Sequence, residues 1–245
     1  MLPHSARLLL VSLLAVTAAT AALPPIAPGE RALFTEDFAD NRNLWSSIAV
    51  IGKTGKPATG QATLADSSWT PSIADSGTVT STAPIKPSIK LQNGPVTVYF
   101  SVSVLDPDGT EGNRFGVALN ESEGTRGFVR LLIRPAAGSF LDYRDHTGGA
   151  QSTPVEGARA YFATGTGMRH FKFTITPAAD GRSPATAEAF RYDPKTKVYV
   201  SLGMADKAVG LKTGDFQSVA LWSRNGDNGV IWIDSIVVTQ SPARR

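Results

Sequence analysis

"VTVYFSVSVL", residues Val96 to Leu105, decides the fold class. Val96, Val98, Phe100, Val102 and Val104 fall on one side of an extended chain, and Thr97, Tyr99, Ser101 and Ser103 fall on the other. Successive side chains of a strand point to opposite faces, so this period of two predicts a strand with one buried face. "DPDG" at Asp106 to Gly109 closes it as a turn.

The pattern repeats outward from that stretch. "RFGVALN" (Arg114 to Asn120), "GFVRLLIRP" (Gly127 to Pro135), "SFLDYRD" (Ser139 to Asp145) and "RHFKFTIT" (Arg169 to Thr176) follow it. "TAEAFRYD" (Thr186 to Asp193), "KVYVSLG" (Lys197 to Gly203), "FQSVALWSR" (Phe216 to Arg224) and "GVIWIDSIVVTQ" (Gly229 to Gln240) complete the run. Gly, Pro, Asn and Asp punctuate the junctions, and no window carries a convincing helical stripe, although "ADKAVGLKTG" (Ala205 to Gly214) has room for one turn. Roughly a dozen strands with turn signals between them predict an all-β fold, a two-sheet antiparallel sandwich.

The chain has 245 residues and no cysteine, so its stability must rest on a packed core or a bound ion. It opens "MLPHSARLLLVSLLAVTAATAALPP", which has the three parts of a secretory signal: a short positive start, the apolar run Leu8 to Val16, and small residues ending in Ala19-Thr20-Ala21. Residues 1–21 are expected to be removed, leaving an exported protein, periplasmic or extracellular, with no membrane span after signal removal. Removing Arg7 from 24 basic residues leaves 23 against 21 acidic ones, a net of +2. So small and scattered an excess points to neither nucleic acid nor an anionic membrane as a partner. "LPPIAPGE" (Leu23 to Glu30) reads as part of a Pro-rich tether over residues 22–31, the domain as residues 32–240, and residues 241–245 as a basic tail.

Read together, the two ends of the domain are informative. The opening "LFTEDFADNRNLW" offers Glu36, Asp37, Phe38 and Trp45, and the closing strand after "SVALWSRNG" offers Asp234, Ile236 and Val238. This pairing of an acidic-aromatic first strand with a D-x-I-x-V last strand resembles concanavalin A-like lectin/glucanase domains of the laminin G-like jelly-roll kind. The resemblance spans about Ala32 to Gln240. It implies that first and last strands pair, so that Glu36 or Asp37 approaches Asp234. Those carboxylates, with backbone carbonyls, would then hold a structural calcium ion. The alternative is that the acids alternate outward while Phe34, Phe38 and Ile233 fill the core.

The resemblance also tells which chemistry to look for. Laminarinase-type members carry E-x-D-x-E on one strand, because glycoside hydrolysis needs two carboxyl groups at a fixed separation. That run is absent here: "EDF" points its acids to opposite faces, and "ESE" (Glu121 to Glu123) sits in a Gly-flanked hairpin tip. The R-x-E-x-R and Q-I-H strands of jelly-roll lyases are absent too, as are H-E-x-x-H and G-x-S-x-G.

The nearest constellation is Arg130, Arg134, Tyr143, Arg144 and His146, which reads either as a cleft for a sugar acid or as a solvated sheet face. Arg130 and Arg134, four apart, share one strand face. His170 alternates against Phe171, Phe173 and Ile175 and so faces away from the core. Trp69 in "DSSWTPS" reads as a loop residue, and Trp222, followed by Arg224 and Asn225, reads as a rim or core residue; either indole would suit stacking on sugar C–H faces.

Non-catalytic recognition of a polysaccharide or other glycan is the leading expectation, with a polysaccharide-degrading enzyme as first rival, a lyase ahead of a hydrolase. An envelope or adhesion domain without a sugar site is the third. Convergence of Arg130, Tyr143, Arg144 and His170 in one groove would mark the lyase.

Overall fold

The computed structural model describes residues 23–39, 45, 47–51, 60–65, 68–73, 77–104, 114–121, 127–134, 139–144, 151–155, 167–180, 185–209, 214–224 and 231–242. The expected signal (1–21), the "DPDG" turn, most of "ESE", His146, Asn225 and the end of the basic tail lie outside them. For Tyr143 and Arg144 the backbone alone is described.

Among the described residues the chain forms fifteen strands. They are β1 (Arg31–Glu36), β2 (Ser47–Ile51), β3 (Gly60–Ala65), β4 (Ser68–Ile73), β5 (Thr78–Lys90), β6 (Val96–Val104), β7 (Arg114–Asn120) and β8 (Phe128–Ile133). Then come β9 (Ser139–Arg144), β10 (Gln151–Val155), β11 (Arg169–Thr176), β12 (Ala185–Asp193), β13 (Val198–Val209), β14 (Asp215–Arg224) and β15 (Ile231–Gln240). One 3₁₀ turn, Leu91–Asn93, joins β5 to β6. No helix among the described residues is long and apolar enough to cross a membrane.

Two antiparallel sheets result. The eight-stranded sheet runs β13-β12-β11-β6-β15-β4-β3, with β1 also on β15; the seven-stranded sheet runs β10-β9-β8-β7-β14-β5-β2. β15 is shared along one side: Ile233 pairs with Trp69 of β4, and Gln240 to Ile236 pair with Arg31 to Glu36 of β1. The expected pairing of first and last strands is therefore present.

Between the sheets, Val98, Phe100, Phe171, Phe173 and Ile236 of one meet Phe115, Val117, Leu131, Val219 and Leu221 of the other. Phe100 stacks on Phe171 with ring centroids 5.7 Å apart. The core face expected for β6 is observed at Val96, Val98, Phe100 and Val102, but the strand has two buried faces and not one: Thr97, Tyr99 and Ser101 are closed off from water as well, with the segment before β1 hydrogen-bonded to Tyr99.

Three expectations change. "ADKAV" makes no helical turn but continues β13 to Val209. Trp69 is no loop residue: it lies in β4, and β3 and β4 form a hairpin. The Pro-rich segment before β1 is seated on the domain, with the Ala27 N–H donating to the Tyr99 hydroxyl at 3.2 Å. The Glu30 carboxylate accepts from the Tyr99 hydroxyl at 2.8 Å and also from the Thr239 hydroxyl.

Candidate functional site

The outer face of the seven-stranded sheet is built by alternation. Val117, Leu119, Val129, Leu131, Val219 and Leu221 point into the core. Their neighbours Ala118, Phe128, Arg130, Leu132, Ala220 and Trp222 therefore point away from it. Register lays these in rows across the sheet: Ala220 beside Ala118, Arg130, Asp142 and Ser152, and Trp222 beside Gly116, Leu132, Phe140 and Pro154. Ala118, Phe128, Leu132 and Ala220 are buried although none belongs to the core cluster. The middle of this face is thus covered, while Ser152 and Pro154 at its β10 edge and Arg224 at the end of β14 meet water.

Arginines cover it. The Arg130 guanidinium lies 4.3 Å from the centroid of the Trp222 ring and 5.1 Å from that of Phe128, and Arg134 lies 4.7 Å from that of Phe140. Cations are drawn to the electron-rich faces of aromatic rings, and arginine stacks well because its group is planar. Arg130 also donates through Nη2 to the Asp142 carboxylate at 2.6 Å, whose other oxygen accepts from the Ser152 hydroxyl. Asp142 is only 4% exposed, so Arg130 is the charge that makes its burial tolerable. The sequence had singled out Arg130 and Arg134; it had missed Asp142 as the partner of Arg130.

It also missed the row at the end of this face. Arg224 of β14 pairs directly with Arg114 of β7, and Arg134 follows Ile133, the partner of Phe115, so it flanks Arg114 on the other side. Burial, and after it the charges of Arg134 and Arg224, lowers the pKa of Arg114. The Nε atoms of Arg114, Arg130 and Arg134 are buried and have no hydrogen-bond partner among the described residues. Tyr143 and Arg144 pair with Val129 and Phe128 across β8, so their backbones border the same strip.

His170 stands elsewhere. It belongs to β11 in the eight-stranded sheet, where Nδ1 lies 2.7 Å from the Ser101 hydroxyl and its ring meets Tyr192 edge-on at 5.8 Å. It points away from the core, as its alternation predicted. Burial, then the charge of Arg169, lowers its pKa. Beside it Lys172 sits among the rings of Tyr99, Phe190 and Tyr199 at 4.7–5.5 Å. Arg130 and His170 therefore occupy the outer faces of different sheets, and the convergence expected of a lyase does not form.

The two tryptophans separate. Trp69 is fully buried, and its indole N–H donates to the Ser81 hydroxyl at 2.9 Å, which removes it from any ligand surface. Trp222 is partly exposed on the outer face, with one side of its ring under Arg130.

The acidic opening of the domain has its own explanation. Glu36 is buried; its carboxylate accepts the Phe38 N–H at 2.8 Å and the Trp45 indole N–H at 3.2 Å. Phe38 has φ of +54°, the left-handed region, and Glu36 thereby ties off a sharp turn that folds Phe38 and Trp45 together, ring centroids 5.6 Å apart. Asp37 accepts the Ala39 N–H at 3.1 Å on the surface. Asp234 accepts from the Ser103 hydroxyl at 2.9 Å, and burial pushes its pKa up to about 6. No group of three acidic or histidine side chains among the described residues is placed to hold a metal ion. Glu36 thus serves two N–H donors within its own turn.

No family model and no curated protein matches the chain. Solved structures do match in fold. One is the CBM2 module of the evolved Dit of Lactobacillus casei BL23 phage J-1, 12% identical, covering 89% of this chain and 98% of that one, with a TM-score of 0.56. Another is the endo-1,3-beta-glucanase of Streptomyces sioyaensis, 11% identical, covering 90% and 100%, with a TM-score of 0.51. Lectin II from Ulex europaeus is 12% identical, covering 85% and 97%, with a TM-score of 0.48. The fold is a concanavalin A-like jelly-roll sandwich.

Proposed function

We propose that this is an exported carbohydrate-binding protein whose glycan site is the outer face of the seven-stranded sheet, around Trp222, Arg130, Arg134 and Phe140. One observation carries the reading: Ala118, Phe128, Leu132 and Ala220 point away from the core and are nevertheless buried. A sheet face made only to meet water does not hold apolar side chains under a cover of arginines. A sugar presents apolar C–H faces and a rim of hydroxyls, and this strip offers aromatic rings beside fixed guanidinium donors.

The separation of His170 from Arg130 argues against a lyase built from those residues, and recognition is the better account. The test is a glycan array on the chain from Ala22 onward, with calcium and with chelator, alongside ultraviolet detection of the unsaturated uronate a lyase would release. Binding that Trp222→Ala weakens at least tenfold, without new absorbance, is the expected result. Silence on the array with a folded protein overturns the reading, and rising absorbance replaces it with β-elimination.

A further inference from the structure

We infer that the glycan bound on this face is acidic, and that its carboxylate or sulfate is taken by the row Arg224, Arg114 and Arg134. The inference rests on the glycan-binding reading above and names the ligand class.

Like charges placed directly opposite on neighbouring strands repel, and a sheet normally avoids them. Here Arg224 and Arg114 are direct partners, and Arg134, the residue immediately after β8, adds a third guanidinium beside them. Strands lie about 4.8 Å apart, so the three form a ladder of positive charge across β14, β7 and β8. Among the described residues Asp142 is the buried carboxylate of this face, and it is already engaged with Arg130 and Ser152. The partner of Arg224 on its other side is Thr78, which brings no charge. The Nε donors of Arg114 and Arg134 are buried without an acceptor among the described residues, and a buried donor left unpaired is costly.

An oxyanion bridging such forks gains charge-assisted, bidentate hydrogen bonds, and it offsets the repulsion among the three guanidinium groups. The remainder of a sugar chain would extend from that end of the face toward Trp222, Leu132 and Phe140, the adjoining row. Charge at one end and rings at the other describe a uronate or sulfated sugar better than a neutral one. They also describe it better than a nucleic acid, which needs a longer track of cations along its backbone.

The experiment is calorimetric titration of the folded chain with four probes. These are a uronate polysaccharide, the same chain after carboxyl reduction, a sulfated neutral galactan, and a single-stranded DNA oligonucleotide. The uronate or the sulfated chain is expected to bind at least tenfold more tightly than the reduced chain, and which of the two does so identifies the anion. Arg224→Gln, at an exposed strand end, and Arg134→Gln should each weaken the acidic chain about tenfold and the reduced chain less. Arg224→Lys should recover only part of the loss, because lysine keeps the charge but not the fork. Circular dichroism of each variant separates lost binding from lost folding.

Equal affinity for acidic and reduced chains overturns the inference while leaving glycan recognition intact. Equal or tighter binding of DNA overturns it in favour of a general polyanion site. Binding of none of the sugars overturns both readings.

Discussion

The guanidinium of Arg130 and the indole of Trp222 lie 4.3 Å apart although their strands do not pair. β8 and β14 both flank β7, and the residue of β7 beside Trp222 is Gly116, which has no side chain to stand between them. The contact is thus made by an absence in the middle strand. It links β14 to β9 through Arg130 and Asp142, and onward to Ser152 of β10.

A methyl group at Gly116 should break that link. A Cβ there would lie 2.8 Å from the Leu131 carbonyl oxygen and 2.9 Å from Cδ of Arg130. The carbonyl belongs to the ladder and cannot yield easily. Gly116→Ala is expected to cost about 1–3 kcal/mol in urea unfolding and to shift tryptophan emission as Arg130 leaves the ring.

Removing either member of the Arg130–Asp142 pair leaves a charge inside the protein without its partner. Arg130→Gln and Asp142→Asn should each destabilise by about 3 kcal/mol. The double variant should cost less than the sum of the two, and a double-mutant cycle by chemical denaturation reads that difference directly.

Trp69 and Trp222 should respond in opposite ways. Trp69→Phe strands the buried Ser81 hydroxyl and should lower stability by about 1–3 kcal/mol while leaving glycan affinity as it was. Trp222→Ala should lower affinity with a smaller effect on the unfolding midpoint. Paired thermal melts and titrations would reveal a mistake in either assignment.

Asp234 gives stability a pH dependence with a definite sign. Its folded pKa is raised to about 6 by burial, against an ordinary value of 3.8. Between these values the folded state binds more protons than the unfolded one, so stability falls as pH rises from about 4 to about 6. Asp234→Asn should remove that fall and leave the protein more stable than the parent above pH ~6. The difference between the two unfolding profiles isolates this group from His170, whose lowered pKa makes stability decline on the acidic side instead.

Glu36→Gln tests the turn at Phe38. Glutamine retains one acceptor oxygen for the Phe38 and Trp45 N–H groups and turns a donor toward the other. A loss of about 1–3 kcal/mol is expected, visible in thermal unfolding followed through tryptophan fluorescence.

How far the sequence could be read depended on where each strand keeps its apolar residues. β6 and β11 were legible because branched and aromatic residues fill their inner positions without a break, and β15 was legible despite a register shift between Ile233 and Ser235, because Ile231, Ile233, Ile236 and Val238 fill the core on both sides of it. β5, "TVTSTAPIKPSIK", was not: its outer positions are Thr and Pro, and two of its inner ones are the small Ser81 and Ala83. Such a strand is stabilised by its partners β14 and β2 rather than by its own pattern. Trp69 was misread for the same reason, since the hydroxyl that satisfies its indole belongs to that hidden strand.

At the site, Arg130 and Arg134 were legible together because one continuous stretch of sequence carries both, β8 and the residue that follows it. Arg114 and Arg224 are brought side by side only by the pairing of β7 with β14, which no local pattern announces. His170 was read correctly as facing outward, but which sheet it faces outward from is a matter of strand order.

The pairing of Arg31 with Gln240 has a mechanical meaning. The start of β1 lies against the finish of β15, so a pull applied to both ends of the domain would meet the hydrogen bonds between these strands one at a time. The load would peel the ladder open from Arg31 toward Glu36, as a zipper parts, and no row of bonds would be sheared at once. Little force would be needed to release the first strand. The turn fastened by Glu36 would then be the next point of resistance.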